Sequence, residues 1–331
     1  LGLIEEAAAL AGVLESVGRK HAAVPMVGRT HMQKAMPSSV GLWAAAFCEG
    51  LLDDIVLLIT AYELNDQNPL GSAASYGVPL PIDRDLVTRL LGFSRTSHSV
   101  LHASNARGKN ESIILQAAGQ VMVTLSRIAQ DLMLYTMPEF AYFTLPPEYG
   151  TGSSIMPQKN NPDVLELVRA RAAKVLGQGG MVLDMIKAAP SGYNRDLQEV
   201  KEPFLDGLAT TLASVRILAP ILKGTKVNRA ALEAAFTPEV FATDRALELV
   251  ADGMTFRDAY QYVKTHLHEL EQEDPYRAIA RKQHVGATAG LDFDGLRSRT
   301  REARSFARDE RKGFHKALSS LLGARYPDDF D

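Results

Sequence analysis

Cysteine is almost missing: Cys48 is the single thiol in 331 residues. That excludes an internal disulfide and any multi-cysteine metal site, and it fits a reducing compartment, with a cytoplasmic location expected. A strong charge of either sign is also missing. The net charge of -3 gives no electrostatic case for nucleic acid or for an anionic membrane. The longest apolar region, Val40 to Thr60, is interrupted by Glu49, Asp53 and Asp54, and reads as buried helix and not as a membrane span. The first residues lack the basic, apolar and small-residue order of a secretory signal. What is present, 46% hydrophobic and 23% charged residues, is an ordinary globular composition, long enough for a large core and two domains.

The densest chemistry lies from Leu145 to Leu167, LPPEYGTGSSIMPQKNNPDVLEL. Pro146, Pro147, Gly150 and Gly152 argue for exposed irregular backbone, because proline removes a donor and glycine permits unusual dihedrals and close approach. Asn161 is the expected N-cap of a following helix, with Pro162 at the first helical position and Asp163 beside it. The stretch reads as a mobile polar loop feeding a rigid helix. Ser153 and Ser154 offer hydroxyls, Lys159 a fixed positive charge, and Asn161 a neutral donor and acceptor. Together with loop amides, this set suits a carboxylate whose negative charge grows during reaction. Glu166 falls in the first or second turn of the helix and faces the same pocket.

Long helices surround this stretch. Leu3 to Ala22 is rich in helix formers and stops at Val24-Pro25. After Pro37, Trp43, Phe47, Leu51, Ile55, Leu58 and Ile59 are spaced for one buried stripe. From Glu111 to Tyr135, Ile114, Ala118, Val121, Leu125, Ile128 and Leu132 recur at steps of four and three, the seam of a bundled helix. A third helix starts after Asn161 and runs to about Lys187. Its Gly177, Gly179 and Gly180 form no nucleotide loop, since no strand precedes them and no helix begins there; they point to close packing or a kink. Shorter amphipathic helices follow from Phe204 onward. His266 and His268 stand two apart, on different helix faces, a poor metal pair.

Other strings are polar and irregular. VGRTHMQKAMP reads as a loop carrying Thr30, His31, Gln33 and Lys34, although a lone histidine is more often structural than catalytic. NPLGSAASYGVPLPIDRDLV breaks the helical pattern, HASNARGKNES precedes the second long helix, and SGYNRDLQEVKEPFLDG alone would be a polar turn entering a helix.

Taken together these strings resemble one family. GSSIMPQKNNPDVLE is similar to the aspartase/fumarase superfamily signature G-S-S-x-M-P-x-K-x-N followed by glutamate, and GRTHMQKAMP to its G-x-T-H-x-Q-x-A-x-P region. YNRDLQEVKEP looks like the argininosuccinate lyase branch, and Arg107 matches that branch's Ser-x-Arg-Asp string while Asn105 and Gly108 depart from it. The resemblance implies an all-α fold: a long central helix bundle, residues 1–222, with a small helical C-terminal domain, residues 223–331. It implies cleavage of argininosuccinate to arginine and fumarate without cofactor or metal, by proton abstraction next to a carboxylate. Ser153 would be the base, His31 with Glu166 a charge-supported pair moving protons, and Lys159 with the loop amides the carboxylate stabiliser. Thr30, Gln33, Ser154, Asn161, Arg107, Tyr193, Gln198 and Lys201 would bind substrate. A homotetramer with sites shared between subunits is implied, acting on a small molecule and on neither nucleic acid nor membrane. Members of the family carry roughly 100 further residues ahead of the Leu3 helix, so this chain is expected to lack an N-terminal segment. The competing expectations are a lyase for another N-substituted aspartate and a non-catalytic structural homologue.

Overall fold

A computed structural model describes residues 1–327. Helix α1 (Gly2–Lys20) has Glu5 in its first turn and Arg19 and Lys20 in its last, charges that oppose the helix dipole. Its buried Ile4, Ala7, Ala8, Leu10, Ala11 and Leu14 fall on one face. The next segment is not the expected loop. Strands β1 (Pro25–Thr30) and β2 (Gln33–Ser39) form an antiparallel hairpin in which Val27 opposes Pro37 and Thr30 opposes Gln33. Ser39 then starts α2 (Val40–Asn65), its hydroxyl accepting from the Leu42 amide at 3.0 Å.

Short helices α3 (Arg84–Leu91) and α4 (Val100–Asn105) lead into α5 (Lys109–Thr136). The seam from Ala118 to Leu132 is fully buried. α5 lies among α2, α6 (Asp163–Ile186) and α7 (Lys201–Gly224), which makes the all-α bundle. Polar pairs hold the register: Trp43 Nε1 donates to Asp131 Oδ2 at 2.9 Å, and Thr124 Oγ1 to Asp54 Oδ2 at 2.6 Å. Burial raises both carboxyl pKa values above the ordinary range. α6 passes unbroken through its glycines. Gly179 packs near Leu115, whereas Gly177 and Gly180 face open space.

By length and composition Lys109–Thr136 and Arg195–Gly224 could cross a membrane. α5 instead supplies the centre of the core. The lone thiol, Cys48, is buried beside the Ala11 carbonyl, and desolvation pushes its pKa to about 12, so it behaves as a small core residue.

After α7 come α8 (Arg229–Ala234), α9 (Ala242–Ala251), α10 (Phe256–Thr265), α11 (Pro275–Ala280) and α12 (Phe293–Leu322). α9 and α10 share a small cluster around Ala246, Ala259 and Val263. α12 returns to the bundle and places Phe293, Leu296, Ala303 and Ala307 in the main core beside α1. Arg19 to Asp294 and Arg311 to Glu5 tie the two helices at the surface.

Candidate active site

The stretch between α5 and α6 is a flap on a short ladder. Thr151 pairs with Asn161 and Gly152 with Asn160 in antiparallel register, and the Thr151 hydroxyl donates to the Asp163 carboxylate. Residues 153–159 form the tip between these strands. Ser153 Oγ accepts from the amides of Met156 at 3.2 Å and Ile155 at 3.4 Å. Two N–H dipoles aimed at one hydroxyl oxygen favour its deprotonated form. Asn161 is not the helix cap: it belongs to the ladder, Pro162 occupies the N-cap position, and Asp163 and Glu166 lie in the first turn of α6. Among the described residues, the side chains of Ser154, Lys159, Asn161 and Glu166 make no hydrogen bond or ion pair. Acidic side chains at a helix start and a free ammonium on the flap leave this end open to a ligand.

His31 and Met32 make the tip of the β1–β2 hairpin, with φ of 53° and 67°. A two-residue turn with both φ positive matches the twist of the strands, yet it costs side-chain-bearing residues ~1–2 kcal/mol each. Arg29 compensates: its guanidinium donates to the Met32 carbonyl at 3.1 Å and lies 4.9 Å from the Phe140 ring centre. Thr30, His31 and Gln33 are exposed. The hairpin sits where α2 begins, and Trp43 of that first turn touches Phe143 beyond the end of α5, so hairpin and flap share one end of the bundle. The expected His31–Glu166 pair is not formed within the chain, among the described residues.

The remaining predicted residues gather elsewhere. Arg107 stands 5.5 Å from the centre of the Tyr193 ring, and Gln198 Nε2 donates to the Tyr193 hydroxyl at 2.9 Å. Lys201 opens α7 close by, its ammonium exposed. A cleft of about 450 Å³ beside them is lined by Asn105, Arg107, Lys109 and Asn194. Arg107 precedes α5 and Tyr193 follows α6, whereas the flap joins the far ends of the same two helices. α6 has 24 residues, so the two groups lie about 36 Å apart. A cleft of about 610 Å³ between α1, α7 and α12 contains none of the candidate residues.

The supporting roles of some residues escaped the sequence reading. Asp163 ties the flap base, Asn105 holds the Ser191-Gly192 turn, and Glu111 caps the Gly108 amide at 2.6 Å. The sequence reading began the second long helix at Glu111 itself, whereas the helix starts at Lys109 and Glu111 is its third residue, the position from which a carboxylate reaches back to the cap amide.

The bundle and its flap define an all-helical lyase: the family described as Lyase matches residues 2–177, which include the hairpin and the flap. An argininosuccinate lyase from Sorangium cellulosum (strain So ce56) is 45% identical over 297 residues, 90% of this chain and 69% of that protein. Another, from Xylella fastidiosa (strain 9a5c), is 43% identical over 277 residues, 83% of this chain and 62% of that protein. The chain belongs to the argininosuccinate lyase family, and it spans about two thirds of the length of the curated relatives it matches. Among solved structures, EDDS lyase in complex with formate superposes with a TM-score of 0.89 at 20% identity, over 97% of this chain and 72% of that one. A fumarate lyase:delta crystallin from Brucella melitensis bound to cobalt does so with a TM-score of 0.67 at 22% identity, over 92% and 65%. Both share the fold.

Proposed function

We propose that the protein containing this chain is an argininosuccinate lyase that splits argininosuccinate into arginine and fumarate. The observation that carries the reading is Ser153 Oγ held by two amides on a flap that also bears a free lysine. A neutral serine hydroxyl is far too weak to take a proton from carbon, so the oxygen must react as an alkoxide. The amides of Ile155 and Met156 and the ammonium of Lys159 supply a positive field, which strengthens when the flap excludes water. Ser153 then takes the proton on the carbon next to a carboxylate. That carboxylate becomes doubly charged, and Lys159, Ser154 and Asn161 stabilise it. The electron pair left on carbon forms the new double bond as the C–N bond breaks, and the departing nitrogen takes up the proton that Ser153 passed to the His31–Glu166 pair when it became an alkoxide. His31 paired with Glu166 moves protons, Thr30 and Gln33 grip a carboxylate, and Arg107, Tyr193, Gln198 and Lys201 bind the rest of the substrate.

A separation of about 36 Å between flap and Tyr193 is too long for one small substrate, so each site takes parts from different subunits. Exposed apolar residues on the outer faces of α6 and α7, among them Leu167, Leu176 and Leu205, support burial against further copies, and a homotetramer is the arrangement proposed. The test is fumarate release, followed in the ultraviolet, from argininosuccinate and from other amine adducts of fumarate. Faster turnover of a different adduct would transfer the assignment to that substrate, and no release from any would sink it. Mixing separately inactive Ser153→Ala and Lys201→Met proteins should restore activity, because mixed assemblies contain some sites with neither change.

A further inference from the structure

We infer that Asn105 is a positioning residue that sets substrate affinity at the Tyr193 end, a role that rests on the reading of Tyr193, Gln198 and Arg107 as substrate contacts. Asn105 is the last residue of α4. Its Oδ1 accepts from the Gly192 amide at 2.8 Å, and its Nδ2 donates to Ser191 Oγ at 3.4 Å. Gly192 has φ +101°, and a methyl group there would lie 3.3 Å from the Tyr76 hydroxyl. Asn105 grips the Ser191–Gly192 peptide, and Asn194 Nδ2 donates to the Gly192 carbonyl at 3.2 Å, so the two asparagines fix the peptides on either side of Gly192 and with them the course of the chain into Tyr193. A side chain with one acceptor and one donor on a rigid plane can hold both groups of the Ser191-Gly192 turn. A serine is too short to reach both. An aspartate lacks the donor and would place a negative charge near arriving carboxylates.

A second contact anchors the clamp from behind. Ser104, the neighbour of Asn105, accepts from Ser75 Oγ at 2.8 Å, and both hydroxyls are buried. Ser75 closes a run with Ala73 and Ala74 at φ of 44°, 51° and 88°. Successive side-chain-bearing residues in the left-handed region persist only where surrounding contacts hold them. Ser104 and Asn105, side by side at the end of α4, thus link this strained loop and the Tyr193 turn to the Arg107 segment. The departure from the Ser-x-Arg-Asp pattern at Asn105 is accounted for by its grip on that turn.

The test uses the full-length protein with Asn105→Ala and Asn105→Asp. Steady-state kinetics on argininosuccinate are measured alongside hydrogen exchange at the Gly192 amide. For Asn105→Ala, KM should rise about fivefold with kcat changed less than about twofold, and Gly192 should exchange faster. Asn105→Asp should keep the Gly192 amide protected, since its carboxylate still accepts that bond. Unchanged KM together with unchanged exchange in Asn105→Ala overturns the inference, as does a matched fall in kcat and melting temperature at constant KM. If the wild-type protein releases no fumarate, the substrate reading fails, while the exchange difference still decides whether the clamp exists.

Discussion

At the Tyr193 end of α6 the polar side chains bind one another, and at the Ser153 end most are left unbound. Arg107, Tyr193, Gln198 and Asn105 interlock through a ring contact and hydrogen bonds to side chain and backbone. On the flap the ladder, the Thr151–Asp163 bond, the amides on Ser153 and the Lys159 amide donating to the Met156 carbonyl impose what order there is, and Ile155 at the tip is 83% exposed. Recognition gains from groups already fixed, because little conformational freedom remains to be lost on binding. A group that must close over substrate and expel water has to start loose. On the proposed reading, the Tyr193 end supplies pre-ordered binding groups and the flap end the chemistry together with its own carboxylate contacts.

The largest effect tests the loose end. Ser153→Ala should lower kcat roughly 10³-fold while leaving substrate binding by calorimetry nearly intact; a small change would remove Ser153 as base. Next comes the braced end, where Gly108 has φ +76° and an added methyl would lie 2.4 Å from Ile186 Cγ2. Gly108→Ala should cost about 2 kcal/mol of stability, read as a lower melting temperature. Arg107→Ala should raise KM about tenfold with kcat changed less than about twofold, and equal damage to both parameters would blur the division. The smallest effect is at the flap base: Thr151→Val should slow kcat about threefold and move stability by less than about 1 kcal/mol. A larger loss of stability there would mean that the flap is as rigid as the opposite end.

The long helices were legible because they are written in local periodicity. The α5 seam from Ala118 to Leu132 needs no tertiary information to be seen, and it is the buried centre of the fold. The flap signature was equally plain from Ser153 to Lys159. What escaped depends on backbone geometry or on distant partners. His31-Met32 has none of the glycine or asparagine that marks a tight hairpin, so the β1–β2 turn looked like a loop. Pairing of Thr151 with Asn161 is too short to leave a period, and it took Asn161 away from its expected capping role. The strongly charged α12 gave no hint of its seat on α1, which rests on Phe293, Leu296, Ala303 and Ala307 spread along an arginine-rich helix.

Helix α6 works as a ruler as well as a wall of the bundle. One residue inserted between Glu166 and Ile186 would move its far end by about 1.5 Å and rotate it by about 100°. In the proposed assembly, a protomer lending its flap to one neighbour and Tyr193 to another would then misalign both partners at once. A single-codon insertion there should therefore be more damaging than many substitutions along the same face.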